Sequence, residues 1–306
     1  MMSAAKGETR RQTLIGILIA VGMGLLTSIP RAEEPPGLTG GNEAIPPATL
    51  APLRIMNGDA TLLGSIYLAE GAGPHPTVIL LHGFPGNELN LDLAHAIRRA
   101  GWNVAYFHYR GTWGSGGEFS FGNALDDVEA VLKSLRGKSL AGNYRIDTTR
   151  IALIGHSFGG FLALKVASTD PDISCVAAMA PGNLGLYGQM IVANPELGKV
   201  NWDLIDKEKA VRGYSGQQSA LDLEAHAEDW DLRATATALS TRPVLLLHGA
   251  RDQLVRIVEH QMLVEAFGAA SASRFSSLIL PTDHYFSTNR LELADHLVDW
   301  LSAECN

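Results

Sequence analysis

The chain has 306 residues, 46% of them apolar and 18% charged. That is a globular composition, and it excludes a disordered, collagen-like or coiled-coil protein. A formal net charge of -8 repels phosphate backbones and argues against a nucleic-acid partner. Two cysteines are too few for a disulfide scaffold or a cysteine-rich zinc module.

Residues 1–32 have the pattern of an export signal. Lys6, Arg10 and Arg11 come first, an uncharged run from Gln12 to Pro30 follows, and its apolar heart at Leu14–Leu26 is short for a membrane span. A cut after Ala32 leaves Pro30 and Ala32 at the recognition positions. Arg10-Arg11 also suggests the twin-arginine route, although Thr13 stands where that signal has a large apolar residue. An uncleaved N-terminal anchor is the alternative. The expected location is exported, periplasmic or secreted, with any membrane contact made through this segment. Residues 33–51, with Pro35-Pro36 and Pro46-Pro47, are expected to be a linker, and residues 52–306 the folded domain.

Leu53 to Met56 and Leu62 to Ala69 predict two antiparallel strands joined at the turn residues Asn57-Gly58-Asp59. Short apolar runs then alternate with helical patterns. The runs are Thr77–Leu81, Val104–Phe107, Ile151–Ile154, Cys175–Met179, Val244–Leu247 and Ser277–Leu280. None alternates apolar with polar, as expected of strands buried on both faces. The helices expected between them are Leu89–Ala100, Asn123–Arg136, Phe158–Ser168, Val255–Phe267 and Arg290–Ser302. Repeated strand–helix units predict one α/β domain with a doubly wound, mostly parallel central sheet flanked by helices. Residues 183–239 break the rhythm. This stretch is polar, has Trp202, Tyr214 and Trp230 scattered through it, and reads as a helical cap inserted over the sheet.

The strongest local signal is Gly155-His156-Ser157-Phe158-Gly159-Gly160, directly after a strand and opening an apolar helix. A sharp strand-to-helix turn needs small residues on both sides of the serine. It lifts the hydroxyl above the sheet edge, beside helix N–H groups that can stabilise an oxyanion.

From about Leu53 to the C-terminus the chain resembles the α/β-hydrolases. Within them it is similar to the dienelactone-hydrolase-like, serine-aminopeptidase-like and prolyl-oligopeptidase-like enzymes. The residues that carry the likeness are His82 to Gly86, Tyr109 to Gly117, Gly155 to Gly159, His248 to Asp252, and Asp283-His284. The resemblance implies an α/β-hydrolase fold with a helical cap, and a catalytic triad in the chain order Ser, acid, His.

Ser157 is then the nucleophile. Of ten histidines, only His284 and His296 lie beyond the last strand. His284 follows it closely in the loop Pro281–Tyr285, whereas His296 sits in the terminal helix between polar residues, so His284 is the expected base. Asp252 follows the strand Val244–Leu247 and is the expected acid, with a structural ion pair to Arg251 or Arg256 as its rival reading. The preceding strand's loop, Ala180 to Asn183, offers no carboxylate, and Asp283 is too near His284 in sequence to orient its ring. The resemblance implies an oxyanion hole from the N–H groups of Phe158 and Phe84, with Gly83 as fallback; Pro85 has none to give.

Other residues carry weaker signals. Arg110 is expected to pair with Asp126 or Asp127 rather than to act on substrate. His82, His156 and His248 stand at three separate turns and are not a metal-ligand set. His226, Glu228, Asp229 and Asp231 read as a solvated face of the cap. By likeness to aminopeptidases, Glu224 or Asp229 could bind a substrate amine. Cys175 is expected to be a small buried residue, unpaired with Cys305 at the extreme C-terminus.

These readings predict a serine hydrolase of carboxylic esters or related acyl bonds, acting on a small ester or short peptide and needing no metal or organic cofactor. A serine peptidase of the aminopeptidase or dipeptidyl-peptidase type is the alternative. An acyltransferase and a non-catalytic binding module on the same fold are further ones.

Overall fold

The computed structural model describes residues 45–305. The expected export signal, and the linker up to residue 44, lie outside the described residues. The strand β1 (Thr49–Asn57) pairs antiparallel with β2 (Ala60–Leu68) through the tight turn at Gly58-Asp59. Gly58 has φ 57°, the left-handed conformation that glycine adopts without steric cost. The linker expectation needs correction at its end, because Thr49, Leu50 and Ala51 belong to the sheet, paired with Leu68, Tyr67 and Ile66. Thr49 and Leu50 are exposed, so the segment has no apolar pattern to mark it. Pro52 fits in β1 because that strand lies at the sheet edge.

The strand–helix alternation follows in chain order: β3 (His75–Leu81), α1 (Leu91–Arg99), β4 (Asn103–Phe107), α2 (Phe121–Arg136), the short α3 (Lys138–Asn143), β5 (Ile146–His156), α4 (Phe158–Thr169) and β6 (Ile173–Met179). The insert then forms α5 (Leu184–Ala193), α6 (Glu196–Asp206), α7 (Gly216–Ala225), a 3-10 turn at Leu232–Ala234 and α8 (Thr235–Leu239). The chain returns through β7 (Val244–Gly249), α9 (Ile257–Ala269), β8 (Phe275–Leu280) and α10 (Arg290–Glu304).

The eight strands form one sheet in the order β1-β2-β4-β3-β5-β6-β7-β8, parallel from β4 to β8. Alternate residues of a strand serve two cores. Val78 and Leu80 pack with Leu93 and Ile97 of α1 and Leu297 and Leu301 of α10. Ile79 and Leu81 pack with Val128 and Leu132 of α2 and Phe161 and Leu162 of α4. Both faces are covered, which explains why no central strand alternates apolar with polar.

The cysteine expectation is overturned. Cys175 on β6 and Cys305, just past α10, form a disulfide with their Cα atoms 5.7 Å apart. The C-terminus folds back across the sheet face lined by Cys175. A spacing of 130 residues carries no sign of that return.

Two aromatic residues of the insert, Tyr214 and Trp230, join the core. They pack edge-on against Phe121, with ring centroids 5.3 and 6.3 Å away, and Trp230 is buried. The side chain of Trp202 lies outside the described residues. The expected solvated face of the insert needs correction at Asp231. That residue is buried between Arg233 and Asn183, whose Nδ2 donates to it at 2.9 Å. Asn183 Oδ1 in turn accepts from the N–H of Leu232 at 3.1 Å. The start of the insert is thereby tied to the turn before its last helix, 48 residues on. Burial pushes the Asp231 carboxyl up, but hydrogen bonds from Arg233, Asn183 and Gln189 outweigh it and hold the group at about 2.

Candidate active site

Ser157 joins β5 to α4 with φ 56° and ψ -118°, a strained backbone for a residue with a Cβ. The strain persists because the turn is fixed on all sides. The Ser157 N–H donates to Met179 O at 2.8 Å, and its carbonyl accepts from the N–H groups of Phe161 and Gly182. The flanking glycines are obligatory. A Cβ on Gly155 would overlap the carbonyl of Gly159, and a Cβ on Gly159 would overlap the carbonyl of Leu81. Phe158 opens α4, so its N–H has no acceptor within the helix.

The loop after β3 lies against this turn. A Cβ on Gly83 would stand 3.1 Å from Ser157 Cβ, so a glycine lets the loop approach the serine. Phe84 lines the same cavity as Ser157 and Phe158. The loop is clamped by the segment after β4: Tyr109 Oη donates to His82 O at 2.9 Å, and Trp113 Nε1 donates to Pro85 O at 2.8 Å. Arg110, in that segment, pairs with both Asp127 at 2.6 Å and Asp126 at 3.3 Å.

Asp252 lies in the turn after β7 and is fully buried. One carboxylate oxygen accepts from the N–H groups of Leu254 and Val255 at 2.8 and 2.9 Å. The other is 2.7 Å from His284 Nδ1. Burial pushes this carboxyl up, but the His284 hydrogen bond and the two main-chain donors more than offset it and hold it below the usual carboxylate range. An ionised carboxylate only accepts, so His284 Nδ1 carries the hydrogen of this contact, and Nε2 is the ring nitrogen left for other partners. Asp283 instead bonds Ser287, with its carboxylate accepting from both the N–H and the hydroxyl. His296 lies on α10, half-exposed beside Glu292.

Ser157, His284, Phe84 and Phe158 line one cavity of about 440 Å³. Its walls are largely apolar and include Phe121 with Leu184, Tyr187, Ile205 and Leu223 of the insert. Those four insert residues had no sequence signal, since they come from three helices and meet only in the folded chain. Two carboxylates, Glu88 and Glu208, also line the cavity. Glu224 and Asp229, the acids expected to meet a substrate amine, do not, and Asp229 pairs with Lys165 at 3.0 Å.

His82 and His248 each bond a main-chain carbonyl, at Gly83 and Val255 respectively. Among the described residues no group of three or more His, Cys, Asp or Glu side chains is placed to hold a metal ion.

A model of the Alpha/beta hydrolase family matches residues 78–296, which span the elements carrying every one of these side chains. The chain belongs to the α/β-hydrolase family. Among relatives of this hydrolase, a 31.7 kDa protein from the traX-finO intergenic region of Escherichia coli is 33% identical over 129 residues, 40% of this chain and 43% of that protein. A probable dipeptidyl-aminopeptidase B of Neosartorya fischeri is 25% identical over 261 residues, 78% of this chain but 26% of that protein. The chain thus spans between a quarter and a half of the length of these curated relatives. An esterase of Pyrococcus furiosus has the same fold, with a TM-score of 0.64 at 20% identity over 85% of this chain and 92% of the esterase.

Proposed function

We propose that this α/β-hydrolase is a serine hydrolase that cleaves carboxylic esters through an acyl-enzyme. The observation that carries the reading is the 2.7 Å contact of His284 Nδ1 with Asp252, in a histidine that shares a cavity with the strained Ser157. His284 Nε2, left with its lone pair, takes the proton of the Ser157 hydroxyl as Oγ attacks the substrate carbonyl. The oxyanion is stabilised by the N–H groups of Phe158 and Phe84. The imidazolium, supported by the Asp252 carboxylate, returns its proton to the leaving alcohol. Water then gives a proton to His284 and attacks the acyl-enzyme, and His284 passes that proton to Ser157 Oγ as the acyl–oxygen bond breaks and the acid leaves. The apolar walls favour an uncharged acyl or alcohol group of modest size, since about 440 Å³ lies within the usual range of small-molecule pockets.

A peptidase acting on a free N-terminus is the second reading. It is favoured by the carboxylates of Glu88 and Glu208 in the cavity and by similarity to the probable dipeptidyl-aminopeptidase B. Turnover of p-nitrophenyl esters of increasing chain length, run beside aminoacyl p-nitroanilides, separates the two. Fast anilide cleavage with little esterase activity would overturn the ester reading.

Export is part of the proposal. The buried Cys175–Cys305 disulfide suits an oxidising compartment, as does the signal-like pattern of residues 1–32. That segment holds four basic residues and one acidic residue, so its removal would take the net charge from -8 to -11. Peptide mapping of periplasmic or culture fractions tests this: a mature N-terminus near Glu33 supports export, and an intact Met1 in the cytoplasm refutes it.

A further inference from the structure

We propose that His156, the residue before the nucleophile, is the positioning residue for the base: its Nε2–H donates to the main-chain carbonyl of His284 and fixes the histidine loop against the nucleophile turn. The inference rests on the serine-hydrolase reading and adds a residue to it. The contact is 2.9 Å long and joins positions 128 residues apart. His156 is 2% exposed, and its ring centroid stands 4.7 Å from that of His284.

The chemistry of the acceptor fixes the tautomer. A carbonyl oxygen can only accept, so Nε2 must carry the hydrogen and Nδ1 the lone pair. Nδ1 is buried without a partner, near the empty flank of Gly83, where a Cβ would stand 3.6 Å from it. Burial, together with the His284 ring, pushes the His156 pKa down to about 3, so the ring stays neutral at the pH of ester turnover. Neutrality matters because His284 becomes an imidazolium when it takes the serine proton. A charged ring 4.7 Å away would oppose that step, whereas a neutral donor holds the loop without repelling the charge.

The opposite side of the histidine loop is held from the acid's turn, where the N–H groups of Ala250 and Arg251 donate to Leu280 and Thr282. His156 supplies the tie from the nucleophile's side. The base is thus located with respect to both of its partners, in a loop whose Phe286 already adopts φ 57°.

Three measurements test this. Replacing His156→Leu should lower kcat for p-nitrophenyl acetate roughly 10- to 100-fold with KM changed less than about twofold, the signature of a misplaced reacting group. His156→Gln, whose amide nitrogen reaches the place of Nε2, should recover most of that loss. In the unmodified protein, ¹⁵N shifts of the His156 ring should report the Nε2–H tautomer, which needs no variant to fold. Equal kinetics for the Leu and Gln variants, a loss confined to KM, or a protonated or Nδ1–H ring would each overturn the inference. A wild-type enzyme that a fluorophosphonate probe fails to label at Ser157 would instead overturn the serine-hydrolase reading on which it stands.

Discussion

Cys175 and Cys305 are bonded across 130 residues of chain, and the loop they close contains both Asp252 and His284 but not Ser157. The bond anchors the last turn of α10 to β6, beside the strand that ends in the Ser157 turn. A covalent tie over so long a loop acts chiefly on the unfolded chain, whose freedom it restricts.

The double variant Cys175→Ser/Cys305→Ser should therefore lose roughly 4–5 kcal/mol of unfolding free energy, the chain-entropy value for loops of this size. Urea titration with and without reductant checks it. Wild-type protein in reductant should shift toward the variant, and a variant already at its limit should not shift further.

Replacing Asp252→Asn removes the charge that fixes the His284 tautomer. Ester turnover should fall by roughly 10³- to 10⁴-fold, the scale of a mis-set imidazole in a serine triad. Asp283→Asn should leave turnover within about threefold, because Asp283 bonds Ser287 and not the imidazole. Comparable losses in the two variants would reassign the acid.

Ser157 combines the proposed chemistry with backbone strain. Ser157→Ala should abolish p-nitrophenyl-ester turnover while the circular-dichroism spectrum is retained. Ser157→Gly should be equally inactive yet about 1 kcal/mol more stable, since glycine adopts φ 56° without the Cβ clash. Thermal melts of the two variants side by side measure the difference.

Gly159→Ala should destabilise the fold severely. The added methyl would overlap the backbone carbonyl of Leu81, which belongs to a central strand and cannot yield. A cost of about 3 kcal/mol or more is expected from overpacking against fixed backbone. Soluble yield and melting temperature report it, and a stable Ala variant would show that the Ser157 turn has room for a methyl group.

Stability should fall early in acid. Burial pushes His82 and His156 down from 6.5 to about 3, and His260 to about 4. Between those values and 6.5 the unfolded chain binds protons that the native protein refuses, so stability rises with pH through that window and is lost as pH falls through it. The expected slope is about 1 kcal/mol per buried histidine for each pH unit below about 6. His156→Gln should flatten it. A melting temperature constant from pH 7 to pH 5 would contradict the burial of these rings as neutral groups.

The amino-acid sequence by itself determined the order and type of the central elements. Unbroken apolar runs such as Ile151–Ile154 can be satisfied only between two helical layers, and the Gly-x-Ser-x-Gly turn admits no side chain at its flanks. Local chemistry of that kind is readable because the constraint and the residue lie within a few positions of each other. The contacts decided by tertiary structure join distant positions. Pairing with β2 drew Thr49–Ala51 into the sheet although the side chains of Thr49 and Leu50 meet water. The return of α10 brought Cys305 to Cys175, and the contact between Asn183 and Asp231 tied the start of the insert to the turn before its last helix. Folding of the insert put Glu208, rather than Glu224 or Asp229, into the cavity wall, which it shares with Glu88 from the loop after β3. A cavity is the sum of side chains from elements with no sequence relation to one another, so its lining follows from how the helices pack over the sheet, which no local pattern encodes.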